Sequence, residues 1–311
     1  MPKADLTPCL ERIEWASQAL NAVNDETSVW IWEHDPYATA TEYYAEADVH
    51  VFRLATEFPP IRFGIAASNI IHQLRSALDN LVWQLVIFNG CKPTPGPRGN
   101  SFPILLPHHT HKRFGQQTAN ALAGVHPDHR ALIEGLQPYQ HPTGQPFDDH
   151  PLKWLRELSN RDKHQELELG VAVRSPHHVP QITIEGDDVS VVDSWFAASP
   201  TLEPGAIVGW AKVAPPGPDL NVEMKAGGLF LVALRGTEYS LGVLLRVVAA
   251  VVEAAVKAFL PALIGLLPIP LTLDPGEVER LYKAARHRDP LVAQSQSRAA
   301  LWSAFFPGPQ V

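Results

Sequence analysis

Cysteine is nearly missing from this chain of 311 residues: Cys9 and Cys91 are the only two. Two thiols exclude a disulfide framework and a cysteine-built zinc centre. Positive charge is also in short supply. Lys and Arg number 25 against 33 Asp and Glu, a formal net charge of −8. A general basic coat for nucleic acid is thereby excluded, and only a local basic site is left open. Charged residues make up 19% and hydrophobic residues 45%, a balance that excludes wholesale disorder. No G-x-x-x-x-G-K-[ST] run, G-x-G-x-x-G or G-x-S-x-G occurs. Phosphate-loop, dinucleotide-fold and hydrolase-elbow readings therefore lack their signatures. Met1-Pro2-Lys3-Ala4-Asp5 carries no apolar run of the signal-peptide kind, so the expected location is the cytoplasm.

The most apolar stretch, Tyr239 to Ile264, raises the question of a membrane span. Arg246, Glu253 and Lys257 interrupt it at spacings of 7 and 4, on one helical stripe. No charge-free run before Pro261 reaches the roughly 18–20 residues a span requires. The expectation is a buried core helix with one wet edge, and no membrane partner.

Other segments read by their periods. Leu10, Ile13 and Leu20 predict a helix over about 6–23. An aromatic tract follows, with Trp30, Trp32, Tyr37, Tyr43 and Tyr44, and 49–54 alternates as a strand does. The clearest helix is 63–88, where Ile71, Leu74, Leu78, Leu81 and Leu85 share a face and Asn89-Gly90 ends it. A Pro/Gly-rich loop spans 92–100, and a short helix is expected over 127–136. Another begins near Pro151 and buries Leu152, Leu155 and Leu158. Between 166 and 235 the period falls to two over about six short strands, with Gly227-Gly228 read as a hairpin turn. A short charged helix is expected over 277–288.

Two polar constellations stand out. On the 63–88 helix, His72, Arg75, Ser76, Asp79, Asn80 and Trp83 gather on the side opposite the leucines. A solvated face with an i,i+4 pair of Arg75 and Asp79 would explain part of this. Trp83 is costly to leave in water, however, and predicts that something covers the stripe. The second constellation is Asn160-Arg161-Asp162-Lys163-His164, directly after an apolar run. Lys163 and His164 suit a helix C-terminus; the functional reading is that this knot meets the stripe across a cleft.

The segments His72-Gln73-Leu74-Arg75-Ser76-Ala77-Leu78-Asp79-Asn80-Leu81-Val82-Trp83, Phe102-Pro103-Ile104, Leu136-Gln137-Pro138-Tyr139 and Leu155 to His164 resemble a family of uncharacterised bacterial proteins. That family carries an LRSALDH helix, a Phe-Pro-Ile segment and an N-x-DKH motif. The likeness covers about 60–170 and implies no settled activity. The helix also resembles the HEPN superfamily of helical-bundle ribonucleases and nucleotide-binding proteins, whose signature is an Arg and a His four to six residues apart. Arg75 matches the Arg, but Asn80 stands where the His would be. Metal-independent RNA cleavage needs a base and an acid. Arg75 can stabilise the phosphorane but cannot shuttle protons near neutral pH, and Asn80 cannot do so at all. His72 or His164 would have to supply that function.

The expected fold class is α+β: a HEPN-like helical bundle of 1–165 plus 236–290, an antiparallel β-sheet of 166–235 inserted into it, and a tail over 291–311. Helix 239–264 is expected to pack along 63–88. The resemblance implies an RNA- or nucleotide-acting protein, in a defence or toxin–antitoxin setting. His72, Arg75 and His164 would be catalytic, while Asp79, Asn80, Trp83, Asn160, Asp162 and Lys163 would bind substrate. A second reading is a non-catalytic binding protein whose polar stripe serves ligand contact or homodimerisation. A third is a metal-dependent enzyme with His72, Asp79, Asp162 and His164 as ligands. Whether the chain is an enzyme stays open at this point. No cofactor and no resident metal are assigned: His108-His109-Thr110-His111 lacks a carboxylate nearby, and His177-His178 likewise reads as a solvated loop. Both cysteines read as buried or incidental.

Overall fold

The computed structural model describes residues 3–35, 38–54, 59–96, 98–106, 111–140, 150–164, 169–171, 180–186, 188–197, 205–225, 230–234 and 237–263. For 111–113, 162–164, 170–171, 225, 230–234, 237–239 and 262–263 it describes the backbone alone. The architecture is mixed α and β, with antiparallel sheets. The chain divides into two compact units. A helical unit comprises 1–22, 65–167 and 243–285, and a sheet unit comprises 23–64, 168–242 and 286–311.

Helix α1 (Thr7–His34) contributes to both units. It begins where the Asp5 carboxylate accepts a hydrogen bond from the Thr7 N–H at 2.9 Å, which caps an otherwise open donor. The helix runs eleven residues beyond the expected end at 23. Asn24 and Thr27 interrupt the apolar period, yet both are buried. Thr27 Oγ1 donates to the Val23 carbonyl at 2.8 Å, so its hydroxyl is satisfied within the helix.

In the helical unit, α2 (Ile61–Phe88) buries Leu74, Ala77, Leu78, Leu81, Val82 and Leu85 completely. The first turns of α1 lie antiparallel to it, with Asp5 N donating to Gln84 Oε1 at 3.0 Å and Arg12 Nη1 to Gln73 Oε1 at 2.6 Å. Short helices α3 (His111–Gln117) and α4 (Pro127–Gly135) follow. A 3-10 turn (Pro138–Gln140) and α5 (Pro151–His164) come next. The histidines before Pro127 and Pro151 cap their helices. His126 Nδ1 accepts from Asp128 N at 3.3 Å, and His150 Nδ1 accepts from Leu152 N at 3.2 Å. Proline at the first helical position lacks a donor that would need capping.

The apolar stretch near the C-terminus forms α6 (Leu241–Lys257) and a single turn, α7 (Leu260–Leu263). The valines and leucines of α6 are buried, Leu260 of α7 is exposed, and Lys257 Nζ pairs with Glu253 Oε1 at 2.5 Å along the wet edge. Among the described residues no helix is long and apolar enough to cross a membrane. The expected helix over 277–288 and the tail over 291–311 lie outside the described residues.

In the sheet unit, β1 (Thr39–Tyr44) and β2 (Val49–Leu54) form a hairpin. Asp48 closes the turn at φ 54, and its carboxylate accepts from the Tyr43 hydroxyl at 2.7 Å. Further strands are β3 (Gly170–Val171), β4 (Gln181–Ile184), β5 (Ser190–Phe196), β6 (Ile207–Ala214), β7 (Val222–Lys225), β8 (Phe230–Leu234) and β9 (Thr237–Ser240). They pair as β1-β2-β6-β5, β3-β8-β9 and β4-β7, all antiparallel.

The principal sheet thus recruits two strands that precede the expected 166–235 segment. The turn expected at Gly227-Gly228 lies outside the described residues; among those described, β7 pairs with β4, and β8 with β3 and β9. Tyr239, expected to open the apolar helix, instead lies within strand β9, and the helix starts at Leu241.

Phe52, Leu54, Val208, Ala211, Val213, Val222 and Met224 form the core beneath one face of the four-stranded sheet. Thr39 and Thr41 on β1 donate to the Met224 and Val222 carbonyls at 3.0 and 2.8 Å. These bonds fix the β4-β7 ribbon over that face.

Candidate functional site

Phe102 is fully buried and precedes Pro103, in an extended segment (101–106) that belongs to no sheet. Buried main-chain polar groups without partners are costly. Here side chains provide the partners. Asp79 Oδ1 accepts from Phe102 N at 2.8 Å, and Arg75 Nη2 donates to the Phe102 carbonyl at 2.5 Å. Arg75 Nη2 also meets Asp79 Oδ1 at 3.1 Å, which closes a three-membered ring of contacts. The next groups along the segment are held in the same way. Arg156 Nη1 donates to the Ile104 carbonyl at 2.9 Å, and Gln137 Oε1 accepts from Leu105 N at 2.9 Å. Gln137 Nε2 in turn donates to the Ile133 carbonyl at 2.8 Å, which locks its amide orientation.

The four sequence segments of the resemblance therefore converge on one place. The α2 motif supplies Arg75 and Asp79, the Phe-Pro-Ile segment is what they hold, Leu136-Gln137 supplies Gln137, and α5 supplies Arg156. The cover that Trp83 foretold over the polar stripe includes the chain's own segment, bound at Arg75 and Asp79. Trp83 itself is half-buried.

The remaining candidates are dispersed. His72 is exposed, Ser76 and Asn80 are half-buried, Asn160 is exposed and Arg161 is half-buried. Asp162, Lys163 and His164 lie on the last turn of α5, and their side chains fall outside the described residues. The expected meeting of Arg75 with His164 falls outside with them. So do His108, His109, His177 and His178, and the side chain of His111. Among the described residues no group of three or more His, Cys, Asp or Glu is placed to hold a metal ion. Cys9 is fully buried, and burial pushes its thiol up to about 12. That leaves it protonated and inert as a nucleophile. Cys91 is exposed, beside Asn89.

Sequence reasoning missed Gln137 and Arg156 as members of this cluster. The available signal was a polar residue set within an apolar run, Gln137 after Leu136 and Arg156 between Leu155 and Leu158. Nearby, Asn100 performs a similar task for the preceding loop. Its Nδ2 donates to the Ala121 and Ala123 carbonyls, and its Oδ1 accepts from Thr94 N.

Chemically, the cluster is a lock. Arg75 has one guanidinium nitrogen on both a main-chain carbonyl and a carboxylate, an arrangement that holds a segment while its side chain stays 21% exposed. Comparison of the chain with family models, with curated proteins and with solved structures gives no significant match.

Proposed function

We propose that this is a non-catalytic binding protein built on a HEPN-like helical bundle, with the polar motif of α2 serving structure. The observation that carries the reading is the double attachment of Arg75 and Asp79 to the N–H and carbonyl of Phe102. An RNA-cleaving site would need the Arg75 guanidinium turned to a phosphate and an imidazole within hydrogen-bond reach of the reacting oxygen. Here Arg75 is engaged inside the fold, Asn80 stands at the signature position and His72 is exposed. A homodimer or an RNA ligand is compatible with such a binder, whereas turnover is not.

The test combines labelled RNA with an unfolding measurement. The full chain is incubated with RNA in chelator and, separately, with added divalent metal, and Arg75→Ala and His164→Ala are run beside it. The expected result is no cleavage above background in any arm, with a lowered melting temperature for Arg75→Ala. Metal-free cleavage that both variants abolish, with melting unchanged, would overturn the reading in favour of a ribonuclease. Chelator-sensitive cleavage would overturn it in favour of a metal enzyme.

A further inference from the structure

The four-stranded sheet of the sheet unit has two unlike faces. Cross-strand partners share a face, so the register sorts the residues. Phe52, Gly209 and Phe196 are register partners on the core side. One position along, Trp195 on β5 pairs with Trp210 on β6, Trp210 pairs with Val51 on β2, and Val51 with Glu42 on β1. The next rows of this outer face hold Asp193 opposite Lys212, Ile207 opposite Arg53, and Val49 opposite Tyr44. Trp195 is 47% exposed and Trp210 is half-buried, with Ile207 and Tyr44 exposed at the flanks. Both bulges of this sheet, at Val191/Asp193 and Phe52/Arg53, adjoin the outer row. Bulges re-aim side chains and raise local twist.

The polar groups around the tryptophans are ordered. Arg53 Nε donates to Glu42 Oε2 at 2.9 Å, Arg53 Nη2 to the Tyr44 hydroxyl at 2.9 Å, and Arg53 Nη1 to the Gly205 carbonyl at 3.2 Å. The side chains of Arg53 and Glu42 nonetheless stay 30% and 50% exposed. Charges on the face cancel, Arg53 and Lys212 against Glu42 and Asp193. A phosphate chain needs uncompensated cations, so this face does not suit a polyanion. The apolar area is also small. Half of one tryptophan plus parts of a tyrosine and an isoleucine expose on the order of 300 Å², against about 800 Å² per partner in a standard protein interface. A neutral ligand with a flat apolar side and hydroxyls at its rim fits both limits.

We propose that the outer face of the β1-β2-β6-β5 sheet binds a neutral oligosaccharide, with a pyranose ring lying on Trp195 beside Trp210. The C–H groups of one sugar face meet the electron-rich ring. Asp193, on the same strand as Trp195, accepts hydrogen bonds from its hydroxyls, and Lys212 on the neighbouring strand donates to its oxygens; Glu42 and Arg53, on β1 and β2 about 10–14 Å across the sheet, meet further residues of the same oligosaccharide. This names the ligand class of the binding protein proposed above and rests on that reading.

The experiment titrates the full chain by calorimetry with cello-, xylo-, manno-, malto- and chito-hexaose at millimolar concentration. Binding of at least one is expected. Trp195→Ala should weaken it by about tenfold or more, Trp195→Phe by less, and Trp32→Ala, exposed outside the sheet, not at all. Since Trp195 is half in solvent, Trp195→Ala should melt as the parent does, which separates lost binding from lost fold.

Absence of binding to all five sugars would overturn the proposal. So would an uncharged-sugar affinity indifferent to Trp195, an oligoribonucleotide bound through Trp195 in their place, or a sedimenting dimer that Trp195→Ala dissociates. None of these results involves RNA cleavage, so a failed sugar site and a failed non-catalytic reading are told apart.

Discussion

In the helical unit, side chains satisfy the main chain of an irregular segment; in the sheet unit, strand pairing satisfies most of the main chain and leaves the charged side chains of Arg53 and Glu42 part-exposed at the surface. Arg75 and Arg53 show the contrast. Both sit beside a carboxylate, Asp79 and Glu42, and both reach a backbone carbonyl. Arg75, however, closes the carbonyl of fully buried Phe102, whereas Arg53 reaches Gly205 at an exposed corner. Phe102 has no strand neighbour to take its N–H and carbonyl, and Pro103 cannot donate. Phe52 in β2 has neighbours on both sides, β1 and β6. The same residue pair is therefore structural in one unit and available for contact in the other.

Four substitutions and one titration sharpen or break that contrast. The largest effect is expected for Phe52→Ala, which empties a fully buried site in the sheet core and should cost about 3–5 kcal/mol in urea unfolding. Asp79→Ala should follow at about 2–4 kcal/mol, since it strips Phe102 N and Arg75 of their shared acceptor. Gly124→Ala should cost about 1–2 kcal/mol: Gly124 has φ 78, and an added Cβ would meet Val86 and Cys91 side chains at 3.0 Å. Arg53→Ala should cost under about 1 kcal/mol, as expected of an exposed ion pair. If Arg53→Ala proved as damaging as Asp79→Ala, the distinction between locked and free polar clusters would fall.

The smallest expected effect is a dependence on pH. His129 is buried against the rings of Phe88 and Phe259, with His126 beside it. Burial, and then the neighbouring His126, push its pKa below the ordinary value of 6.5. His50, buried in β2, is lowered too, by burial. The folded state thus keeps these rings neutral where the unfolded chain takes up protons. Stability is intact above about pH 6.5 and falls as pH drops toward the folded values. Melting temperatures across the acid range check this, and His129→Leu should show the shallower decline.

Much of the helical unit was legible from residue spacing. The leucines of α2 recur at 3 and 4, and their face is the buried one. The charge pattern of 239–264 likewise foretold a core helix. The sheet unit was harder to read. Thr39–Tyr44 looks like an aromatic tract because the side chains that tie it into the fold are threonines whose hydroxyls bond to β7, a contact some 180 residues away in sequence. The end of α1 was misjudged because Asn24 and Thr27 are polar yet buried. Within the candidate site, Arg75 and Asp79 were identified and their cover was anticipated, but the covering segment was not. A helical wheel reports which residues share a face, and it carries no information about what lies on that face.

What the sequence determined by itself is local: where helices run, which faces are apolar, and that Arg75 and Asp79 stand one turn apart. Tertiary structure decided their use. Phe102 carries a main-chain donor and acceptor that must be paired once water is gone, and only the assembled fold brings those two groups to that turn of helix.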